Sequence, residues 1–253
     1  MVKSRIRGPS GASPGWADGR FLTYARAMPR QEFQHELDEI EALLQDSGRL
    51  CGRSLEIVLG ALESADAARA QQVIADDDEV DSIYLKVEAS IESLLARQAP
   101  VAVDLRLVLS MIHVNLHLER IGDQCVNIAK LALLIPPDPP LAPELLTDFS
   151  TMGRQAHAMI AEAMRSFGAR DLAGAESLLA MDQVINQTNY GLSRRILSLA
   201  DDAPSHEAGL RAILIARCLE RIGDNAVDIG EQTAYLVTAQ FREFTDASRA
   251  TPA

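Results

Sequence analysis

Residues 118–127 read LERIGDQCVN and residues 219–228 read LERIGDNAVD, so the first six residues of the two stretches are identical. In each, apolar positions recur in steps of three and four: Leu118, Ile121 and Cys125 in the first, Leu219, Ile222 and Ala226 in the second. That spacing predicts an amphipathic helix. The acidic positions fall on another side of it. Glu119, Asp123 and Asn127 stand four apart, as do Glu220, Asp224 and Asp228. At about 100° per residue each trio lines one face. A six-residue identity at matching points of two helices is the mark of an internal duplication, and the rest of the chain follows it.

Upstream, Leu37, Ile40, Leu44, Cys51, Leu55, Val58 and Leu62 form a first seam. A second helix follows Ser64 and Asp66 and runs to Ala99–Pro100, and a third runs from near Val101 to Ile135. PPDPPLAP at 136–143 stops the pattern, because proline lacks an amide donor and restricts its predecessor. Three helices then return: a seam of Leu145, Phe149, Met152, Ala156, Met159 and Ala163, a helix opening near Asp171, and another after Pro204. A shift of 105 carries Ile40 and Leu44 onto Leu145 and Phe149, and carries Asp66, Val73, Asp77 and Ile91 onto Asp171, Leu178, Asp182 and Ile196. A shift of 101 superposes the LERIGD helices. Long helices joined by short loops bury their seams as bundles. The expected fold is all-α: two pseudo-symmetric antiparallel three-helix bundles at 32–135 and 144–242, a Pro-rich linker at 136–143, a disordered basic extension at 1–31 and a flexible tail at 243–253. The composition agrees, since 47% of residues are hydrophobic but only 4% aromatic, which suits close-packed helices.

The net charge of −12 is unevenly spread. Residues 1–31 carry six cations and one Asp, a balance of +5, which leaves −17 on the remainder. An acidic body excludes coating of nucleic acid, whose phosphates require a basic footprint. The leader has no apolar run long enough for a signal peptide or a membrane span. Three cysteines without a CxxC pair favour a reducing compartment over a disulfide framework.

Stacked like charges on a helix repel, so the carboxylate stripes need a compensating partner. A hard cation supplies one, and two helices presenting ExxxD and DxxxD can build an oxygen-rich site between them. The facing sets are Asp77 and Asp81, with Glu88, on helix 2 and Asp182 and Asn186 on helix 5. The first candidate site comprises Asp77, Asp81, Glu119, Asp123 and Asn127; the second comprises Asp182, Glu220, Asp224 and Asp228, with Asn186 and Glu231 beside them. The plain alternative is that these acids only solvate exposed faces. Gly122 and Gly223, inside helices, are assigned to close approach of a neighbouring helix. His113 and His117 have zinc-like i, i+4 spacing, but their centre lies about 100° round the helix from the stripe. Leu214 and Cys218 stand at the equivalent positions, so the two histidines are assigned to packing or an interface. No Walker A, GxGxxG or GxSxG motif is present, so nucleotide hydrolysis and acyl chemistry have no support.

The duplicated LERIGD helices, PVAVDLRLVLSM at 100–111 and ERIGDNAVDIGE at 220–231 resemble the PhoU family. The resemblance implies a pair of three-helix bundles whose E(D)xxxD motifs bind metal ions, with iron, zinc, manganese and magnesium as candidates, at the positions named above. It also implies a non-enzymatic negative regulator of the phosphate-starvation response. Its partners would be the ATPase subunit of the phosphate ABC transporter and a phosphate-sensing histidine kinase. It would be cytoplasmic, held at the inner face of the membrane only through those partners, with no nucleic acid and no membrane insertion; a homodimer is left open. Asn186 departs from the family pattern, placing a neutral amide where an Asp is usual. MPRQEFQHELDEI from Met28 resembles a family start, which makes the first 27 residues an upstream start or an appended tail. Two rivals remain: a metal-free helical scaffold, and a di-metal carboxylate oxidase. The oxidase requires Glu-x-x-His pairs, and here Gly122 and Gly223 stand three residues after Glu119 and Glu220.

Overall fold

The computed structural model describes residues 30–135, 141–199 and 203–244. It consists of six helices: α1 (Arg30–Ser64), α2 (Ala67–Arg97), α3 (Ala102–Leu133), α4 (Pro143–Ala169), α5 (Leu172–Leu199) and α6 (Ala203–Thr238), and among the described residues there is no strand. Helix α1 takes in Arg30 and Gln31, which the sequence reading gave to the extension, and α4 takes Pro143 from the expected linker. Pro143 fits there because the first turn of a helix has no use for its missing amide donor. The remaining expectations for the leader, the linker's 136–140 and the tail beyond 244 lie outside the described residues.

Within each half the three helices all touch one another. The halves meet through equivalent helices, α1 against α4 and α3 against α6, whereas the backbones of the diagonal pairs α1/α6 and α3/α4 do not pack closely among the described residues. Four helices thus form a central square, flanked by α2 on one side and α5 on the other. The seams read from the sequence fill it. Ile40 and Leu145 are buried, as are Leu44 and Phe149, Val73 and Leu178, and Ile91 and Ile196. The buried apolar residues of both halves belong to one continuous core. Cys51, Cys125 and Cys218 are free thiols buried within it. Burial pushes the Cys51 thiol up to about 12, so it behaves as a small apolar residue and not as a nucleophile.

The duplication extends to the turns. Ala65 (φ 50°) ends α1 and Arg170 (φ 55°) ends α4 in the left-handed conformation. The next residue closes the turn in each case, with the Asp66 amide donating to Ala61 O at 3.0 Å and the Asp171 amide to Ser166 O at 2.9 Å. The same two aspartates start the following helices. Asp66 Oδ1 accepts from the Ala68 and Arg69 amides, and Asp171 Oδ1 accepts from the Gly174 amide. A left-handed Ala is disfavoured by contact of its Cβ with the backbone. Ala65→Gly is therefore expected to raise stability by about 1 kcal/mol, or about 2–4 °C in Tm, despite the greater freedom of glycine when unfolded. A thermal melt checks it; an unchanged or lower Tm counts against the strain.

Candidate metal centre

Helices α2 and α3 run antiparallel, pinned where Asn115 Nδ2 donates to the Tyr84 carbonyl at 3.1 Å. Further along, Gly122 faces Val80 and Asp77. A Cβ on Gly122 would stand 3.3 Å from Val80 Cγ1 and 3.5 Å from Asp77 Oδ1. The second half repeats the arrangement more tightly: a Cβ on Gly223 would stand 2.9 Å from Asp182 Oδ1 and 3.0 Å from Ile185 Cδ1. Each glycine therefore lets the facing helix come close and brings that helix's first candidate ligand onto the LERIGD helix. This agrees with the role expected of them.

In the first half the carboxylates sense one another. Asp77 is raised above the ordinary Asp range by burial, then by Asp81 and Asp123, with Lys130 opposing. Glu119 is raised by burial, then by Asp123 and Asp81, with Arg120 opposing and Asp77 adding a smaller push. Four like charges from two helices thus share one seam, with Lys130 and Arg120 as its cations. Asp81 and Asp123 are exposed at its mouth, and Asn127 is exposed one turn further along α3. Glu88 approaches Asn115 Nδ2 at 3.5 Å, two turns along α2 from Asp81. Among the described residues, no three His, Cys, Asp or Glu side chains close into a ready-made ion-binding set. Mutual repulsion favours such splaying.

The donor set nonetheless suits a hard cation. It is all oxygen, it carries four negative charges, and the Gly122 cradle would be filled by any side chain at that position. Raised carboxyls hold protons that the unfolded chain releases, so their stabilising contribution is complete below the ordinary carboxylate values of 3.8 for Asp77 and 4.5 for Glu119. It is lost as pH rises through the raised values. Asp77→Asn with Glu119→Gln should accordingly raise the Tm of chelator-treated protein at pH 7 by about 1–4 °C, a gain that shrinks toward zero below about pH 4. Melts across pH check it, and a gain independent of pH would contradict the repulsion.

The second half is built differently. Asp182 is buried, and Asn186 Nδ2 donates to its Oδ2 at 2.6 Å. Glu220 is ion-paired with Arg217. Asp228 turns to the other bundle, where its Oδ2 lies 3.4 Å from His117 Nδ1. His117 Nδ1 is also 2.9 Å from Asn225 Oδ1. Burial raises Asp228, while His117 and Arg120 hold it down and Glu243 raises it again. Asp182, Asp224, Asp228 and Glu231 line one cavity of about 930 Å³, together with His113 and His117 of α3; Glu220 is not among its walls. Glu231 accepts the Phe244 amide at 2.5 Å, so the segment after α6 folds back over this end of the stripe.

His117 therefore serves the interface expected for it, but the same contact puts its imidazole on a candidate ligand of the opposite half. The sequence reading missed this, because the helix wheel relates residues only within one helix. It also missed Glu243, which lies beyond the periodic pattern.

No helix among the described residues is long and apolar enough to cross a membrane. The PhoU domain model matches twice, at residues 44–132 and 149–233, once in each half. The chain is 30% identical over 208 residues to a phosphate-specific transport system accessory protein PhoU homolog of Pseudomonas aeruginosa, covering 82% of this chain and 86% of the relative. It is 27% identical over 221 residues to the homolog of Clostridium acetobutylicum, covering 87% of this chain and all of that one. The crystal structure of PhoU from Pseudomonas aeruginosa superposes with a TM-score of 0.78 at 30% identity, over 82% of this chain and the whole of that one. That of the phosphate transport system regulatory protein PhoU from Streptococcus pneumoniae gives 0.77 at 31% identity, over 84% of this chain and the whole of that one. With the family model matched once in each half and the relatives matched over most of its length, the chain belongs to the PhoU family.

Proposed function

We propose that this protein is a metal-binding regulatory adaptor of phosphate homeostasis, a negative regulator of the phosphate-starvation response that modulates uptake through the phosphate ABC transporter. The observation that carries the reading is its membership of a family whose relatives are named as accessory proteins of phosphate-specific transport. It acts from the cytoplasm and touches the transporter's ATPase subunit and the phosphate-sensing histidine kinase, recruited to the membrane's inner face only through them. It is not an enzyme.

Asp77, Asp81, Glu119 and Asp123, with Asn127, would hold a cation in the first half; Asp182, Glu220, Asp224 and Asp228 would do so in the second. A bound cation supplies positive charge that offsets carboxylate repulsion and fixes each helix pair. The first half is the stronger of the two, because Arg217 and Asn186 already serve Glu220 and Asp182 in the second. Inactivating the gene is expected to derepress phosphate-starvation genes in phosphate-rich medium, and unchanged expression would overturn the regulatory reading. Mass spectrometry of proteins captured with the tagged chain from the same cells should return the ATPase subunit and the kinase.

A further inference from the structure

The seam between α1 and α4 lies on the edge of the central square opposite α3 and α6, and its lining carries three arginines against one carboxylate. Gly48 and Gly52 let α4 pack close, since a Cβ on Gly48 would stand 2.7 Å from Met164 Cγ and one on Gly52 would stand 3.3 Å from His157 Nε2. Above the floor made by Ile160 and Met164 opens a groove of about 640 Å³. Its walls carry Arg49 and Arg53 from α1 and His157 and Arg165 from α4, and Glu56 is its sole lining carboxylate.

The commitments of these side chains are unequal. Arg49 pairs with Asp46, His157 Nε2 lies 3.2 Å from Glu56 Oε1, and Arg165 reaches Glu162 at 2.6 Å and Asp171 at 2.7 Å. Arg53, one turn from Arg49 on the same face, has no carboxylate within ion-pair distance among the described residues, and it is exposed. Exposed ion pairs are weak and readily exchanged, so the groove offers one uncommitted guanidinium and two paired ones, Arg49 and Arg165, that an incoming anion can recruit. The guanidinium fork matches phosphate oxygens two at a time. The volume is that of a small-molecule site. A chain of net charge −12 does not gather anions casually, so saturable binding here requires this local cluster.

We propose that the α1–α4 groove binds a small, soluble polyphosphorylated ligand, anchored by Arg53 and clamped from the two walls by Arg49 and Arg165. The proposal does not depend on the carboxylate seams or on the regulatory role. Its test is calorimetric titration of the metal-stripped full chain with inorganic pyrophosphate, with sulfate as comparator. Saturable binding of one pyrophosphate per chain is expected, with Arg53→Ala weakening it about tenfold or more and Arg53→Lys falling between the two. Both replacements are at an exposed position and leave the core untouched. Glu119→Ala with Asp123→Ala should bind pyrophosphate as the parent does. Absence of saturable binding, equal affinity in Arg49→Ala/Arg53→Ala protein, or equal affinity for sulfate overturns the proposal. So does loss of binding in the carboxylate variant, which would trace it to a residual cation on the opposite face.

Discussion

Protein carrying Glu119→Ala and Asp123→Ala, purified without chelator, is expected to lose most of its bound divalent or trivalent cation, whereas Glu220→Ala with Asp224→Ala should lose far less. The two pairs are equivalent under the duplication, although Asn186, a neutral amide where the family pattern has Asp, already sets the second site apart in the sequence. The structure separates them. In the first half, Asp77 and Glu119 are both pushed up by burial and then by their carboxylate neighbours. In the second half Arg217 holds Glu220, Asn186 holds Asp182, and Asp228 is drawn across to His117. Elemental analysis of metal content per chain reads the difference. Equal losses would refute the asymmetry, and no metal in the parent protein would end the cation reading while leaving the regulatory one standing.

Phe149→Ala should lower stability by about 3–5 kcal/mol, the usual cost of emptying a fully buried aromatic site. For a chain of this size that is about 6–20 °C in Tm. Phe149 is 1% exposed and sits on α4, the partner of α1 in the central square. The apolar residues of both halves form one core, so the substitution should move a single calorimetric transition and not split off the second bundle. Two separated peaks would show that the halves unfold independently.

The helices, their seams and the duplication were legible because each rests on spacing along one chain. LERIGD fixed the position of α3 and α6, and the shift of 105 carried buried Leu44 onto buried Phe149. The role of Gly122 and Gly223 was legible too, since a glycine inside a well-formed helix implies a close neighbour. What escaped was everything set by contacts between halves. Nothing in the pattern shows that α1 meets α4, or that His117 meets Asp228, because those pairings depend on how two finished bundles are laid together. The contact of Arg217 with Glu220 lay in plain view at i, i+3, but only the folded side chains show that the two are paired. The Glu231 contact with the Phe244 amide has no periodic signal at all.

The central square has one more consequence. Where the halves touch, each helix meets its own counterpart, α1 against α4 and α3 against α6. A contact in which a surface meets its own copy is isologous, the geometry of a two-fold homodimer. Here the two copies are joined in tandem, so an association that would otherwise weaken on dilution is governed by an effective concentration of about millimolar. The square should therefore persist at any protein concentration a cell supplies.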